Sequence, residues 1–339
     1  VFEALVEEVR RAGGAAGRAH LVRRGHPDRM LAAAVRAGVL TRARRGWYSI
    51  WSPDDPRILA LRIGGRLTGI SAIRAWGGWV RRASRMHVAT PVNASRLRCP
   101  RRRRVAFTDS PARNGVALHW TSAQHDRDTS TGVVTLLEAL EVVCLVEPEE
   151  DAIAAIDWAR RSGRVDALDL AALARRLPAS RRRLVSASSG SCHSLPESLA
   201  RTRLRATGLG VLEQVLLPDD PSPIDLLIEG SVALEVDGEE FHRERFYPDR
   251  AKDLAATRSG FHALRPAARH VFDEWPAVLE AIRAALTARG VRVPAPPSAS
   301  RASGVDNSGR PRRARRRTRA VPRSMSPRPR RPPPIVLSR

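Results

Sequence analysis

The chain has 339 residues, with 59 Lys and Arg against 35 Asp and Glu and a formal net charge of +24. That length implies two or three domains with substantial cores, and the charge favours polyanionic partners. The three cysteines are odd in number and show no Cys-x-x-Cys spacing, which argues against a disulfide framework or a zinc site. No early segment reads as a signal peptide, and the most apolar run, Gly132 to Val146, is broken by Glu138 and Glu141, so a cytoplasmic protein without a membrane span is expected.

The first fifty residues read as one module. Phe2, Leu5, Val6 and Val9 recur at helical spacing until Gly13-Gly14 ends the pattern. Arg18 to Arg24 predicts a short helix, Gly25-His26-Pro27 a tight turn, and Asp28 to Ala37 a helix with Met30, Leu31, Ala34 and Val35 inward. Gly38 to Ile50 then reads as two short strands joined by a basic loop. Three helices and a basic hairpin describe a winged helix-turn-helix. In that arrangement the helix after the turn enters the major groove, so His26, Asp28, Arg29 and Arg36 become base or phosphate contacts. Arg42, Arg44 and Arg45 on the wing would touch the DNA backbone, since they bring positive charge with no acid among them. The alternative is a winged helix used for protein contacts, with these arginines solvated. Gly13 to Gly17 is not a phosphate loop, because it lacks the Gly-Lys-Ser/Thr ending. Through Gly38-Val-Leu40 and Arg45-Gly-Trp-Tyr48 the module resembles the amino-terminal domain of AbiEi-type antitoxins.

The region 51–185 is read as a small α/β unit with a helical linker. Leu67 to Trp76 and Gly132 to Val146 predict helices, Met86 to Thr90 and Val116 to Trp120 strands, and Asp151 to Leu177 a helical pair. Trp76, Trp79, Trp120 and Trp158 are expected in the core or at domain contacts. Arg101 to Arg104 forms a compact positive loop, either a phosphate contact or a solvated turn. The order of elements resembles the middle portion of AbiEi-type antitoxins.

The segment Pro223 to Gly238 carries the strongest chemical signal. Ile224, Leu226 and Ile228 alternate, as do Val232, Leu234 and Val236, which predicts two strands sharing a buried face, with Glu229-Gly230-Ser231 as the turn. A three-residue loop pairs Ile228 with Val232, Leu226 with Leu234 and Ile224 with Val236. The same register puts Asp225 opposite Glu235, with Asp237 expected on that face as a third carboxylate. Like charges opposed across a strand pair destabilise a sheet unless something neutralises them. A divalent cation held by hard oxygens, Mg²⁺ or Mn²⁺, would do so. The plain alternative is a strand-start Asp and an Asp-Gly turn.

An Asp on one strand followed by Glu-x-Asp on the next resembles the PD-(D/E)xK nuclease superfamily, most closely the small domains related to very-short-patch-repair endonuclease. The resemblance runs from about Ser194 to Ala288, through Leu195-Pro-Glu-Ser, Pro223-Ile-Asp225, Leu234-Glu-Val-Asp-Gly238, His242, Asp249-Arg-Ala-Lys-Asp-Leu254 and Gly260-Phe-His-Ala-Leu-Arg265. It implies Mg²⁺-dependent phosphodiester hydrolysis, with Asp225, Glu235 and the Val236 carbonyl as metal ligands and Glu197 holding a second metal or its water. One departure matters: Asp237 stands where the superfamily pattern has Lys. His242, Arg250 or Lys252 would have to replace it, and the sequence does not choose among them.

From Arg301 to Arg339 there are 13 Arg and one acid, Asp306, which carries half the net charge in a Pro- and Ser-rich stretch without apolar periodicity. Disorder is expected there. The expected organisation is therefore a multidomain α/β chain. A winged helix-turn-helix (1–50) and a middle α/β region (51–185) precede a restriction-endonuclease-like domain (186–292) and a basic tail (293–339). The expected function is DNA binding with Mg²⁺-dependent endonuclease chemistry in a toxin–antitoxin, phage-defence or DNA-repair setting. DNA is the expected partner, with a toxin or a second copy as the protein partner. The alternative is a transcriptional regulator or antitoxin whose nuclease-like domain has lost its activity.

Overall fold

The computed structural model describes residues 2–102, 104–108, 113, 115–122, 128–217, 220–237 and 246–294. The tail read as disordered lies outside them from residue 295. Its architecture is mixed α/β, with helices set around several small sheets.

The chain opens with α1 (Glu3–Arg11), β1 (Ala15–Gly17), α2 (Arg18–Arg23), α3 (Asp28–Arg36), β2 (Thr41–Arg44) and β3 (Trp47–Ser49). Leu5 and Val9 of α1, Leu21 of α2, and Leu31 and Ala34 of α3 close one small core, as their helical spacing requires. Strand β1 was not legible in the sequence. It pairs antiparallel with β3 and with β7 (Thr129–Ser130), giving a sheet of order β2-β3-β1-β7 that reaches well past residue 50. Gly14 owes its place to close packing: a Cβ there would come within 2.5 Å of the Trp51 indole, and φ is +100°.

Next come α4 (Pro56–Ile63), β4 (Arg66–Leu67), α5 (Gly69–Ala75), β5 (Met86–Pro91), β6 (Val116–Thr121) and α6 (Leu136–Val146). The helix expected from Gly132 starts only at Leu136. Thr135 and Glu138 form a reciprocal capping box that sets this boundary, and Gly132 is needed beside Trp51 at φ +74°. Likewise the helix expected from Leu67 starts at Gly69, because Arg66 and Leu67 pair with β5. Trp158 is buried and Trp76 and Trp79 pack on the same core. Trp120 departs from expectation: it lies on β6 with 55% of its surface exposed.

Three helices, α7 (Glu149–Arg161), α8 (Ala167–Arg176) and α9 (Ala179–Ala187), lead to α10 (Leu195–Ala206). Beyond it, β8 (Val211–Leu217), β9 (Asp220–Ile228), β10 (Val232–Leu234), α11 (Phe246–Arg258), β11 (His262–Leu264), α12 (Ala268–Asp273) and α13 (Trp275–Ala288) complete the fold. The sheet order is β11-β10-β9-β8, with β10 and β11 parallel and the other pairs antiparallel. Leu226, Ile228, Val232 and Leu234 face Leu199 and Leu204 of α10 and Ile282 and Leu286 of α13. Ala233 lies in a second cluster with Ala255 and Ala256 of α11.

A buried ion pair ties α10 to α7. Asp157 and Arg201 are both without solvent exposure, with Arg201 Nη2 2.8 Å from Asp157 Oδ2. Ser198 Oγ donates to the same carboxylate at 2.6 Å, and the Ser189 amide donates to its other oxygen at 2.7 Å. Burial pushes the Asp157 carboxyl up to about 6 against the pull of Arg201. Removing one partner of such a pair strands the other charge, at a cost of about 3–5 kcal/mol. Asp157→Ala should therefore lower unfolding free energy by about that amount, read from denaturant titration, whereas the joint replacement Asp157→Leu with Arg201→Met should recover most of it.

A second prediction concerns acid. Burial, with His119 and Arg85 beside it, lowers His87 to about 4 from its usual 6.5. The His87 Nε2 also faces Glu147 at 3.8 Å, and the two imidazole centroids are 5.0 Å apart. Between these pH values the folded chain binds fewer protons than the unfolded chain, so stability is complete above pH 6.5 and is lost as pH falls through 4. The melting temperature of His87→Gln should fall less steeply across that window than that of the unaltered protein.

Candidate functional site

Hairpin β9–β10 sets the site. Its register pairs Ile228 with Val232 and Leu226 with Leu234, as the alternation predicts. Glu229 and Gly230 both take left-handed φ values, 48° and 60°, and the Ser231 amide closes the turn on the Ile228 carbonyl. Leu226, Leu234 and Val236 are buried on the face towards α10 and α13. Ile224 is buried too, but in the other cluster, with Leu217 and Ala255. Ile224 still pairs with Val215; the β8–β9 register shifts beyond that pair, before Leu217 meets Asp220.

Just past the paired stretch, Asp225 and Glu235 are locked to each other's backbone. The Asp225 amide donates to Glu235 Oε1 at 3.2 Å and the Val236 amide to Asp225 Oδ2 at 3.1 Å. Lys252, on α11, donates from Nζ to Glu235 Oε2 at 2.5 Å. Of the three residues that the sequence offered in place of the motif lysine, Lys252 is the one whose side chain is described, and it reaches the carboxylate from a helix, seventeen residues after it. His242 and the Arg250 side chain lie outside the described residues.

Glu197 is positioned by the start of α10. Ser194 caps the helix and donates its hydroxyl to Glu197 Oε1 at 2.7 Å, while the His193 amide donates to Oε2 at 2.8 Å. Gln214 Nε2, on β8, reaches the same oxygen at 3.4 Å, from a backbone with φ +51° that a non-glycine residue seldom adopts. Burial and the charge of Asp225 raise Glu197 to about 7, and the same two causes raise Glu235 to about 7 against the opposing pull of Lys252. Glu197, Asp225, Glu235 and Lys252 therefore form one electrostatic group.

Asp237 does not join it. Arg265 donates from Nη1 to its carboxylate at 2.9 Å and from Nη2 to Asp253 at 2.9 Å, so the third carboxylate expected on this face is paired with a neighbouring arginine. Among the described residues no group of three or more His, Cys, Asp and Glu side chains is arranged to hold a metal ion. His193 borders the site: partial burial and Arg161 lower its pKa, and Asp225 opposes them. The sequence did not place His193 or Gln214 at this site. The signal for His193 was its place just before the Ser194 cap of a helix bearing Glu197; Gln214 had none, since its role depends on a strand conformation.

In the amino-terminal module Arg29 and Arg36 are exposed on α3, and Arg42 and Arg45 are exposed on β2 and its turn. His26 and Arg44 are half-buried. Asp28, itself exposed, is paired with Arg18 through two hydrogen bonds, one of 2.7 Å. Among the described residues no helix is long and apolar enough to cross a membrane.

Compared with known proteins, the chain matches no family model and no curated protein sequence.

The Lys252 contact has a consequence that can be read without any activity. Lys252 lowers the pKa of Glu235, so Lys252→Met should move the Glu235 titration upward, leaving more of that carboxyl protonated at neutral pH. Carbon-13 NMR of labelled glutamate carboxyls measures this; an unmoved midpoint would show that the contact does not govern the carboxylate.

Proposed function

We propose that this chain binds DNA and hydrolyses its phosphodiester bonds with Mg²⁺ or Mn²⁺, as the resemblance of residues 194–288 to PD-(D/E)xK nucleases implies. The observation that carries the reading is the Lys252 to Glu235 contact, next to Asp225. It supplies from α11 the lysine that Asp237 replaces in the sequence motif. The donor set also suits a hard cation, since two buried glutamates titrate high beside Asp225 and a positive charge would relieve all three. Asp225, Glu235 and the Val236 carbonyl would hold the ion, with Glu197 holding a second ion or its water. Bound there, the ion would activate a water near neutral pH and offset charge on the attacked phosphate. Lys252 would orient the attacking water, and Glu197, fixed by Ser194 and His193, would accept a proton from it. Arg29, Arg36, Arg42 and Arg45 would deliver the substrate through a winged-helix contact with the duplex.

A second reading is a regulator or antitoxin whose nuclease-like domain only binds. Two observations favour it: Asp237 is committed to Arg265, and no three-residue metal group exists among the described residues.

Cleavage of plasmid, single-stranded DNA and RNA with Mg²⁺, Mn²⁺ or EDTA separates the two. On the enzyme reading, Glu235→Ala abolishes Mg²⁺-dependent cleavage, a loss of 10²-fold or more on the order expected for a transition-state contact, while DNA affinity stays close to the original. Tight DNA binding with no metal-dependent cleavage by the unaltered chain would select the regulator.

A further inference from the structure

The strongest feature left unused by that reading is a cleft of about 610 Å³ lined by Arg42, Arg44, Arg45, Arg96, Arg98 and Arg104. Among the described residues no acid lines it. It lies between β2 of the amino-terminal module and residues 96–102 and 104–107 of the middle region. That segment is an ordered frame: the Cys99 amide bonds the Val105 carbonyl at 2.9 Å, the Phe107 amide bonds Leu97 at 3.0 Å, and Arg62 Nη1 holds the Pro100 carbonyl at 3.1 Å.

Stability alone does not explain six arginines together. One of them has a structural use: Arg44 Nη1 lies 2.7 Å from where a Cβ on Gly64 would sit, against the carboxyl end of α4, where a cation meets the helix dipole favourably. Desolvation and the nearby Arg98 push the Arg44 guanidinium below its ordinary pKa, as expected where like charges gather. Arg96 and Arg104 are exposed at the rim, so the cleft is open to a large ligand. Guanidinium forks match phosphate oxygens in pairs, and several in a row match several phosphates.

We propose that this cleft grips consecutive phosphates of a DNA backbone, so that the middle region shares the DNA contact with the wing. The proposal rests on the DNA-binding reading above and adds Arg96, Arg98 and Arg104 to it. The groups that would face the backbone come from two elements far apart in sequence, which fixes the register of the duplex on the protein without reading its bases.

The test uses the full chain and a random-sequence duplex, with the salt dependence of affinity as the readout. Each phosphate contact contributes about 0.9 to the slope of log K against log salt. The triple variant Arg96→Gln, Arg98→Gln, Arg104→Gln should flatten the slope by up to ~2.7 and weaken low-salt binding about tenfold or more. The matching Arg→Lys triple variant should restore most of the slope. Should the triple Gln variant melt early, single Arg96→Gln and Arg104→Gln variants, both at exposed positions, should each flatten the slope by about 0.9. If the unaltered chain binds DNA and these variants keep its slope, the cleft assignment is overturned and the DNA-binding reading stands. If the unaltered chain binds no DNA, that reading fails. Titration of inorganic tripolyphosphate in parallel identifies the remaining source: binding of tripolyphosphate but not of duplex, lost in the Gln variant, would make the cleft a small-anion site and overturn the backbone assignment.

Discussion

The site depends on a carboxylate that never meets solvent. Asp157 holds Arg201, the Ser198 hydroxyl and the Ser189 amide at once, and these three groups fix the path of the chain into α10. Glu197 is the neighbour of Ser198, so its direction follows. Arg201 also extends 3.4 Å from Glu213 on β8, beside the Gln214 that reaches Glu197. A single buried network therefore sets both the helix and the strand that present one acid. Such a network is a poor source of net stability, because two charges must be stripped of water, but it leaves few alternative arrangements once formed.

On the other side of the sheet the constraint is electrostatic. Asp225 and Glu235 stand close because of the hairpin register, and burial, with the Asp225 charge, raises Glu235 and the α10 residue Glu197 to about 7. Lys252 offsets part of it from α11, and Arg265 removes Asp237 from the contest. The two basic groups act on different carboxylates, Lys252 on Glu235 and Arg265 on both Asp237 and Asp253.

The amino-terminal half repeats the theme with the sign reversed. Its small cores are closed by few residues, and its sheet gains a fourth strand from Thr129 and Ser130 rather than from its own sequence. Trp51 packs against Gly14 and Gly132, fastening that module to the region that follows. Beside β2 a cleft gathers arginines that the sequence scatters over about sixty residues.

The sequence by itself determined the three amino-terminal helices, the β9–β10 hairpin with its Ile228–Val232 and Leu226–Leu234 pairs, and the nearness of Asp225 and Glu235, but not Ile224, which was expected opposite Val236 and packs in the other cluster. These are local: period, turn chemistry and a three-residue loop fix them within about fifteen residues. The tertiary structure decided what local pattern does not reach. Strand β1 is three residues of Ala and Gly that no propensity marks, and it exists because β3 and β7 supply partners. Residues 132–135 read as helix by hydropathy, yet Val133 bridges Leu67 in parallel and the Gly132 carbonyl and Val134 amide bond the Leu67 backbone, so the helix waits for the Thr135 cap. Trp120 emerges on an exposed strand face that its size argued against. Most consequentially, Lys252, Gln214 and His193 meet the carboxylates only through helix and strand packing, and Asp237 leaves them through Arg265. Charge pairing over such separations is settled by which surfaces bury together, and that is a property of the fold rather than of any stretch of its sequence.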